Sequence, residues 1–263
     1  MSKYIKGIKE KYKQTKKRSL LVYLILRILV IICMVLEILR GDLNNAFLCL
    51  LSLLLFTIPT ILEDKFKIGI PSLLESIIYL FIFSAEILGE INNFYGNIPY
   101  WDTILHTLNG FLAAGVGFSL IDLLNKNSKS IKLSAAFVAI VAFCFSMTIG
   151  VLWEFFEYGA DKYFKLDMQK DRVVTSISSV ELDPEKSNKA IVVNNIKETH
   201  IITEDGIVII NGGYLDIGIN DTMKDLIVNF IGAVCFSFLG YLYIKNRDKY
   251  KFATNFIPTR KDN

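Results

Sequence analysis

Apolar residues gather along this chain into long uninterrupted runs, and polar residues are confined to the gaps between them. The runs cover roughly 19–39, 44–62, 69–91, 102–124, 133–160 and 222–244. About 20 apolar residues suffice for a helix to cross a bilayer, so the pattern predicts an all-α polytopic membrane protein of six transmembrane helices. The second run is the shortest and carries Pro59 near its end, which makes it the weakest of the six as a span. Between the fifth and sixth runs the pattern changes. Val173–Ile177, Ala190–Val193, His200–Thr203 and Ile207–Ile210 are β-branched runs, with a hairpin turn expected at Glu204-Asp205-Gly206. A small β-rich lobe of three or four short strands, closing at Gly212-Gly213, is therefore expected across 161–221. The two histidines divide accordingly: His200 falls in the lobe as a surface or cross-strand residue, and His106 falls in a span.

Charge adds an orientation. Lys3, Lys6, Lys9, Lys11, Lys13, Lys16, Lys17 and Arg18 face a single acid, Glu10, before the first span. Directly before a span such a block reads as an anchor on anionic membrane lipid rather than a nucleic-acid contact. The apolar run after it is too long for a cleaved leader and lacks a small-residue cleavage site, so the first span is expected to be retained. Lys65 and Lys67, then Lys126, Lys129 and Lys132, then Lys245, Arg247, Lys249 and Lys251 fill alternate loops, while the opposite loops hold Arg40 alone or no cation before Trp101. Positive-inside bias places both termini in the cytoplasm. The expected organisation is a basic N-terminus 1–18, spans one to five within 19–160, an extracytoplasmic loop 161–221, span six at 222–244 and a cytoplasmic tail 245–263. Cys33, Cys49, Cys144 and Cys235 lie inside apolar runs without CxxC spacing and read as buried small hydrophobes, not thiolate ligands.

The chemistry concentrates where spans four and six begin and span five ends. At ~1.5 Å per helical residue, Asp102, Asp161 and Asp221 share a boundary layer. His106, Glu157 and Asp225 lie about one turn further in, and Asn109, Glu154 and Asn229 one turn beyond that. Small residues continue the same faces: Gly110, Ala113 or Ala114 and Gly117; Ala135, Ala139, Ala142, Ser146 and Gly150; Gly232 or Ala233, Ser237 and Gly240. Such stripes let membrane helices approach closely, and ionisable groups inside spans belong in a bundle interior. Asp102 and Asp221 also suit helix N-caps, Asp161 a solvated loop, and Asn109 interhelical glue. Glu86 and Glu90 stand one turn apart in span three as a further candidate wall, and Arg27 and Glu75 are expected to snorkel or pair.

Six carboxylates and one imidazole in one small site need a bound cation, retained protons or a cationic substrate, because like charges raise one another's pKa. Oxygen donors with one imidazole suit Mg²⁺, Mn²⁺ or Zn²⁺. His106, Glu154, Glu157 and Asp225 are the candidate ligands or acid/base groups. Asp102, Asn109, Asp221 and Asn229 are the candidates for holding substrate or orienting ligands.

Trp101-Asp102 with His106 and Gly110, Trp153-Glu154 with Glu157, and Asp221-Thr222 with Asp225, Asn229 and Gly232 resemble the YjdF-like family of uncharacterised bacterial membrane-spanning proteins. More distantly they resemble VanZ-like proteins. The resemblance covers about 85–246 and implies a bacterial plasma-membrane protein without supplying a reaction. Three functions fit: a metal-dependent enzyme on a lipid-linked or envelope substrate, a proton- or cation-coupled transporter, and a non-catalytic membrane scaffold.

Overall fold

The computed structural model describes residues 2–127 and 133–260. Lys129 and Lys132 fall outside the described residues, as do the side chains of the N-terminal basic block up to Lys16 and that of Lys126. The helices are α1 (Ser2–Arg40), α2 (Leu43–Leu55), α3 (Ile58–Phe66), α4 (Ser72–Ile82), α5 (Phe94–Asn97), α6 (Trp101–Asn127), α7 (Ala135–Phe164) and α8 (Ile219–Lys245). Six helical stretches among the described residues are long and apolar enough to cross a membrane: Lys17–Arg40, Leu43–Lys65, Ser72–Ile91, Trp101–Asn125, Ala135–Phe164 and Ile219–Lys245.

Two of these stretches depart from a plain helix. The second divides into α2 and α3 at Phe56-Thr57, with Pro59 in the first turn of α3, where its missing N–H costs no helical bond. The third winds as α-helix to Ile82 and as π-helix over Phe83–Ile91. The fourth begins with its indole tied down: Trp101 Nε1 donates to the Ser84 carbonyl at 3.3 Å, and the Phe94 ring meets the Trp101 ring edge-on at 5.0 Å.

The chain forms two compact units, 1–150 with 227–263, and 151–226. In the first, polarity is turned outward-in. Leu24, Ile28, Leu39, Ile140 and Phe238 are exposed, whereas Ser52, Ser119, Ser146 and Asn229 are buried. Lipid covers such outer faces at no cost, and association between helices then rests on close packing and internal hydrogen bonds. Cys49 is buried as expected, but Cys144 and Cys235 are exposed. Lying within an apolar run does not decide which side of the helix a residue occupies.

One core packs Ala114 and Phe118 of α6, Val138 and Ala142 of α7, and Ala233, Phe236 and Tyr243 of α8. A second packs Leu26 and Val30 of α1, Cys49 of α2, Phe56, Tyr79 of α4 and Ile87. Within the first core α6 and α8 touch backbone to backbone. A Cβ on Gly110 would stand 2.1 Å from the Asn229 carbonyl oxygen, and one on Gly232 would stand 2.0 Å from that of Thr107. Ser146 closes the third side by donating to the Gly110 carbonyl at 2.7 Å.

The segment after α8, a tail by sequence, returns into this core. Ala253, Ile257 and Pro258 are buried, and the Phe256 ring meets Phe111 edge-on at 5.4 Å. Thr259–Arg260 then pairs antiparallel with Ile68–Gly69. Where α8 ends, Arg247 donates to buried Asp122 at 2.8 Å.

The second unit holds the end of α7, the start of α8 and six short strands in three antiparallel pairs. Arg172–Val174 pairs with Tyr214–Asp216, Ile177–Ser179 with Ile191–Val193, and Glu198–Thr203 with Gly206–Asn211. The last pair turns at Glu204-Asp205, as the residues predicted. The lobe has more strands than expected because the run 173–177 breaks into two, and because Tyr214–Asp216 pairs back to the beginning. His200 lies exposed beside Glu198 at 2.9 Å. Asp183 organises the turn between the middle strands. It accepts from the Ser187 hydroxyl at 2.7 Å and from the amides of Ser187 at 2.8 Å, Glu185 at 3.1 Å and Lys189 at 3.4 Å. The Ser187 hydroxyl, then these amides, hold its carboxyl below the usual range.

Two outcomes are expected. Gly110→Ala forces the α6 and α8 backbones apart and lowers stability by about 1–3 kcal/mol, read as a drop in Tm of the detergent-purified protein. Gly159→Ala, whose Cβ meets nothing within 4 Å, is neutral or stabilising by up to ~1 kcal/mol; equal losses for the two would remove the close contact. The second concerns acid. Asp183 has a depressed folded pKa, so its contribution is complete above the unfolded value of about 4 and disappears as pH falls through the folded value. Protection of the Glu185, Ser187 and Lys189 amides, taken relative to the intrinsic exchange rate at each pH, should fall across that window in the wild type. In Asp183→Asn the protection should be low throughout and independent of pH.

Candidate functional site

In the first unit the expected polar layers begin at the start of α6. Asp102 and His106 lie one turn apart, with His106 Nε2 at 3.3 Å from Asp102 Oδ1, and both side chains are largely covered. A carboxylate on one ring nitrogen holds the imidazole's orientation and raises the basicity of the other nitrogen. One turn deeper Asn109 donates to the Asn229 amide oxygen at 3.4 Å, and the Asn229 NH₂ donates to Met147 Sδ at 3.7 Å. Asn229 is fully buried and presses on Gly150, where an added Cβ would stand 2.7 Å from its Nδ2. Glycine at 110, 150 and 232 is thus what lets an asparagine lie between three helices. Asn109 and Asn229 serve first as the joint of these helices.

In the second unit the helix ends carry the remaining candidates. Glu154 and Glu157 of α7 and Asp221 and Asp225 of α8 are all buried. Trp153 Nε1 donates to Glu157 Oε1 at 2.7 Å, an i, i+4 bond that fixes this carboxylate against its own helix. Asp225 lies 3.8 Å from the Lys224 ammonium. Asp221 receives the Arg172 guanidinium at 2.6 Å and the Lys170 amide at 3.0 Å, one on each oxygen. Its partners come from the loop after α7, and it anchors that loop to the start of α8. Asp161 accepts from the amides of Met168 at 2.7 Å and Gln169 at 2.8 Å, and the Gln169 amide reaches the Thr222 hydroxyl at 2.5 Å. Asp161, half-buried in the last turn of α7, therefore shapes the loop that follows and is not the solvated loop acid expected.

Sequence reasoning missed Arg172 and Gln169. Both sit in a stretch whose β pattern claimed attention, and only the return of Tyr214–Asp216 onto Arg172–Val174 brings the guanidinium to Asp221. Its arrival gives Asp221 a counter-ion from the chain itself. Of the remaining candidates, Glu86 is half-buried and Glu90 exposed on the π-helix. Arg27 bonds the Tyr23 hydroxyl, and Glu75 takes Ser19 and Tyr79.

Helix continuity relates these positions along each rod. Asp225 and Asn229 are one turn apart on α8, Gly150 and Glu154 one turn apart on α7, and His106 and Gly110 one turn apart on α6.

Comparison with known proteins agrees with this architecture. Residues 21–246 match the model of a family described as predicted membrane protein (DUF2238). An 81-residue stretch is 31% identical to an uncharacterised protein of Thermotoga maritima, covering 31% of this chain and 40% of that one. The chain thus matches less than half of that relative's length. No solved structure matches. The family match runs from within the first apolar helix to the end of the sixth, and the chain accordingly belongs to the DUF2238 family of multi-pass membrane proteins.

Proposed function

We propose that this is a bacterial plasma-membrane protein, both termini cytoplasmic, whose outward-facing His/carboxylate layer binds one divalent cation and uses it on a lipid-linked or envelope phosphoester. The orientation rests on the lysine-rich alternate loops, and the bacterial assignment on the YjdF-like order of motifs. In this reading His106, held in place by Asp102, is one ligand and Asp225 a second, of the oxygen-and-imidazole kind that suits Mg²⁺, Mn²⁺ or Zn²⁺. Glu154 and Glu157 supply a further ligand or the general base, and Asp221 stays with Arg172 to hold the loop.

The observation that carries the proposal is the ordered His106–Asp102 pair one turn from the Gly110–Asn229 joint. An imidazole held by a carboxylate within an apolar helix is a common arrangement of a metal-ligating histidine. A cation there would polarise a phosphoryl oxygen and lower the pKa of a bound water. The depth suits the substrate class: His106 lies about 8 Å along α6 from its first residue at ~1.5 Å per residue, within reach of a lipid phosphate.

Elemental analysis of the purified protein should find about one Mg, Mn or Zn per chain, removable by chelator together with phosphate release from lipid-phosphate substrates. His106→Ala should lack the metal while eluting as a folded protein, and Asp102→Asn should retain it with affinity weakened about 10–100-fold. Equal metal content in wild type and His106→Ala would defeat the proposal.

A further inference from the structure

Helices α1, α3 and α4 enclose a second polar place, a cavity of about 160 Å³ lined by Ser19, Leu20, Tyr23, Thr60, Glu75 and Tyr79. Ser19 and Tyr79 are each only 2% exposed. Ser19 Oγ donates to Glu75 Oε2 at 2.5 Å, and the Tyr79 hydroxyl donates to Glu75 Oε1 at 3.0 Å. Both hydrogens are therefore committed to the carboxylate. The Tyr79 oxygen also takes the Thr60 hydroxyl, which leaves the lone pairs of Ser19 and Glu75 and the single negative charge of the Glu75 carboxylate for a guest. The Tyr23 and Tyr79 rings stand 5.1 Å apart at 51°, with Phe56 behind them at 6.3 and 5.7 Å. No ion pair to Glu75 is found among the described residues, and Arg27 of the same helix as Ser19 is held on the Tyr23 ring and hydroxyl instead.

We propose that this cavity binds an organic ammonium group, with Glu75 as the counter-ion and the tyrosine rings as its walls. One carboxylate among neutral hydroxyls matches a single positive charge, whereas a divalent metal takes a larger set of oxygen ligands. A space of roughly 150 Å³ holds a molecule the size of benzene, far more than a bare monovalent ion fills. Aromatic faces attract organic cations. The place favours a membrane source: Ser19 is the third residue of the Lys17–Arg40 stretch and Glu75 the fourth of Ser72–Ile91. At ~1.5 Å per residue both lie within about 5 Å of the end of their apolar stretch, at headgroup depth. A free amine presents the same group, and the experiment separates the two sources.

Wild-type protein in nanodiscs of phosphatidylethanolamine and phosphatidylglycerol, released into native mass spectrometry, should retain phosphatidylethanolamine preferentially. Glu75→Gln keeps an acceptor oxygen for one of the two hydroxyls, lets the other turn to accept from the new NH₂, and removes the charge; it should reduce that preference about 10-fold or more. Titration of ethanolammonium chloride into both proteins in phosphatidylglycerol discs reads the free amine. Glu75-dependent lipid retention alone assigns a headgroup, and Glu75-dependent amine binding alone assigns a soluble amine; either supports the site. Thr60→Lys, which adds the chain's own ammonium at the cavity wall, should displace both probes with Glu75 untouched. Lipid ratios and amine binding that are unchanged by Glu75→Gln, or by Thr60→Lys should the first variant not fold, would overturn the proposal.

Discussion

The contact on which the rest of this structure depends is the meeting of α6 and α8 at Gly110 and Gly232, where neither backbone leaves room for a side chain. In a bilayer, apolar surface gains little by leaving lipid for another helix, so helices associate through close packing and internal polar contacts. Both are present here. The glycines allow backbone approach, and the approach brings Asn109 to Asn229 and Ser146 to the Gly110 carbonyl. Larger residues at these glycines would separate the rods and leave buried amide groups unsatisfied, which is expensive where water is absent.

That joint also sets the chemistry one turn away. The start of α6 is pinned by the Trp101 indole and its edge-on contact with Phe94, so Asp102 and His106 project from a helix fixed at both the tip and the crossing. The acids of α7 and α8 are held differently. Glu157 leans on its own tryptophan, and Asp221 is occupied by Arg172 from the loop. Asp221 thus has its counter-charge from the chain itself, and the indole fixes Glu157 against its own helix.

Much of the fold was legible in the residues. The apolar runs mark six spans because a helix in hydrocarbon must be apolar over a fixed length. The break before α3 follows from Pro59, and the turn at Glu204-Asp205 from hairpin chemistry. Small-residue stripes pointed to the α6–α8 contact. Other features carry no such mark. Phe83–Ile91 has no composition that distinguishes π from α winding. The segment 251–260 reads as part of a cytoplasmic tail, yet its Ala253, Phe256 and Ile257 are matched to a core formed by helices distant in sequence. Cys144 and Cys235 looked like core residues because apolar runs do not distinguish a bundle-facing side from an exposed one.

The amino-acid sequence by itself determined which segments cross a membrane, which residues are too polar to face lipid and at what depth along each helix they lie, since hydrocarbon thickness and helical rise are the same for every chain. Only the tertiary structure decided which polar groups pair. Asn109 with Asn229, Asp221 with Arg172 and Asp122 with Arg247 join residues between 49 and 125 positions apart. Such pairs depend on helix rotation, crossing point and loop return, which arise from the packing of all the elements and from no local pattern.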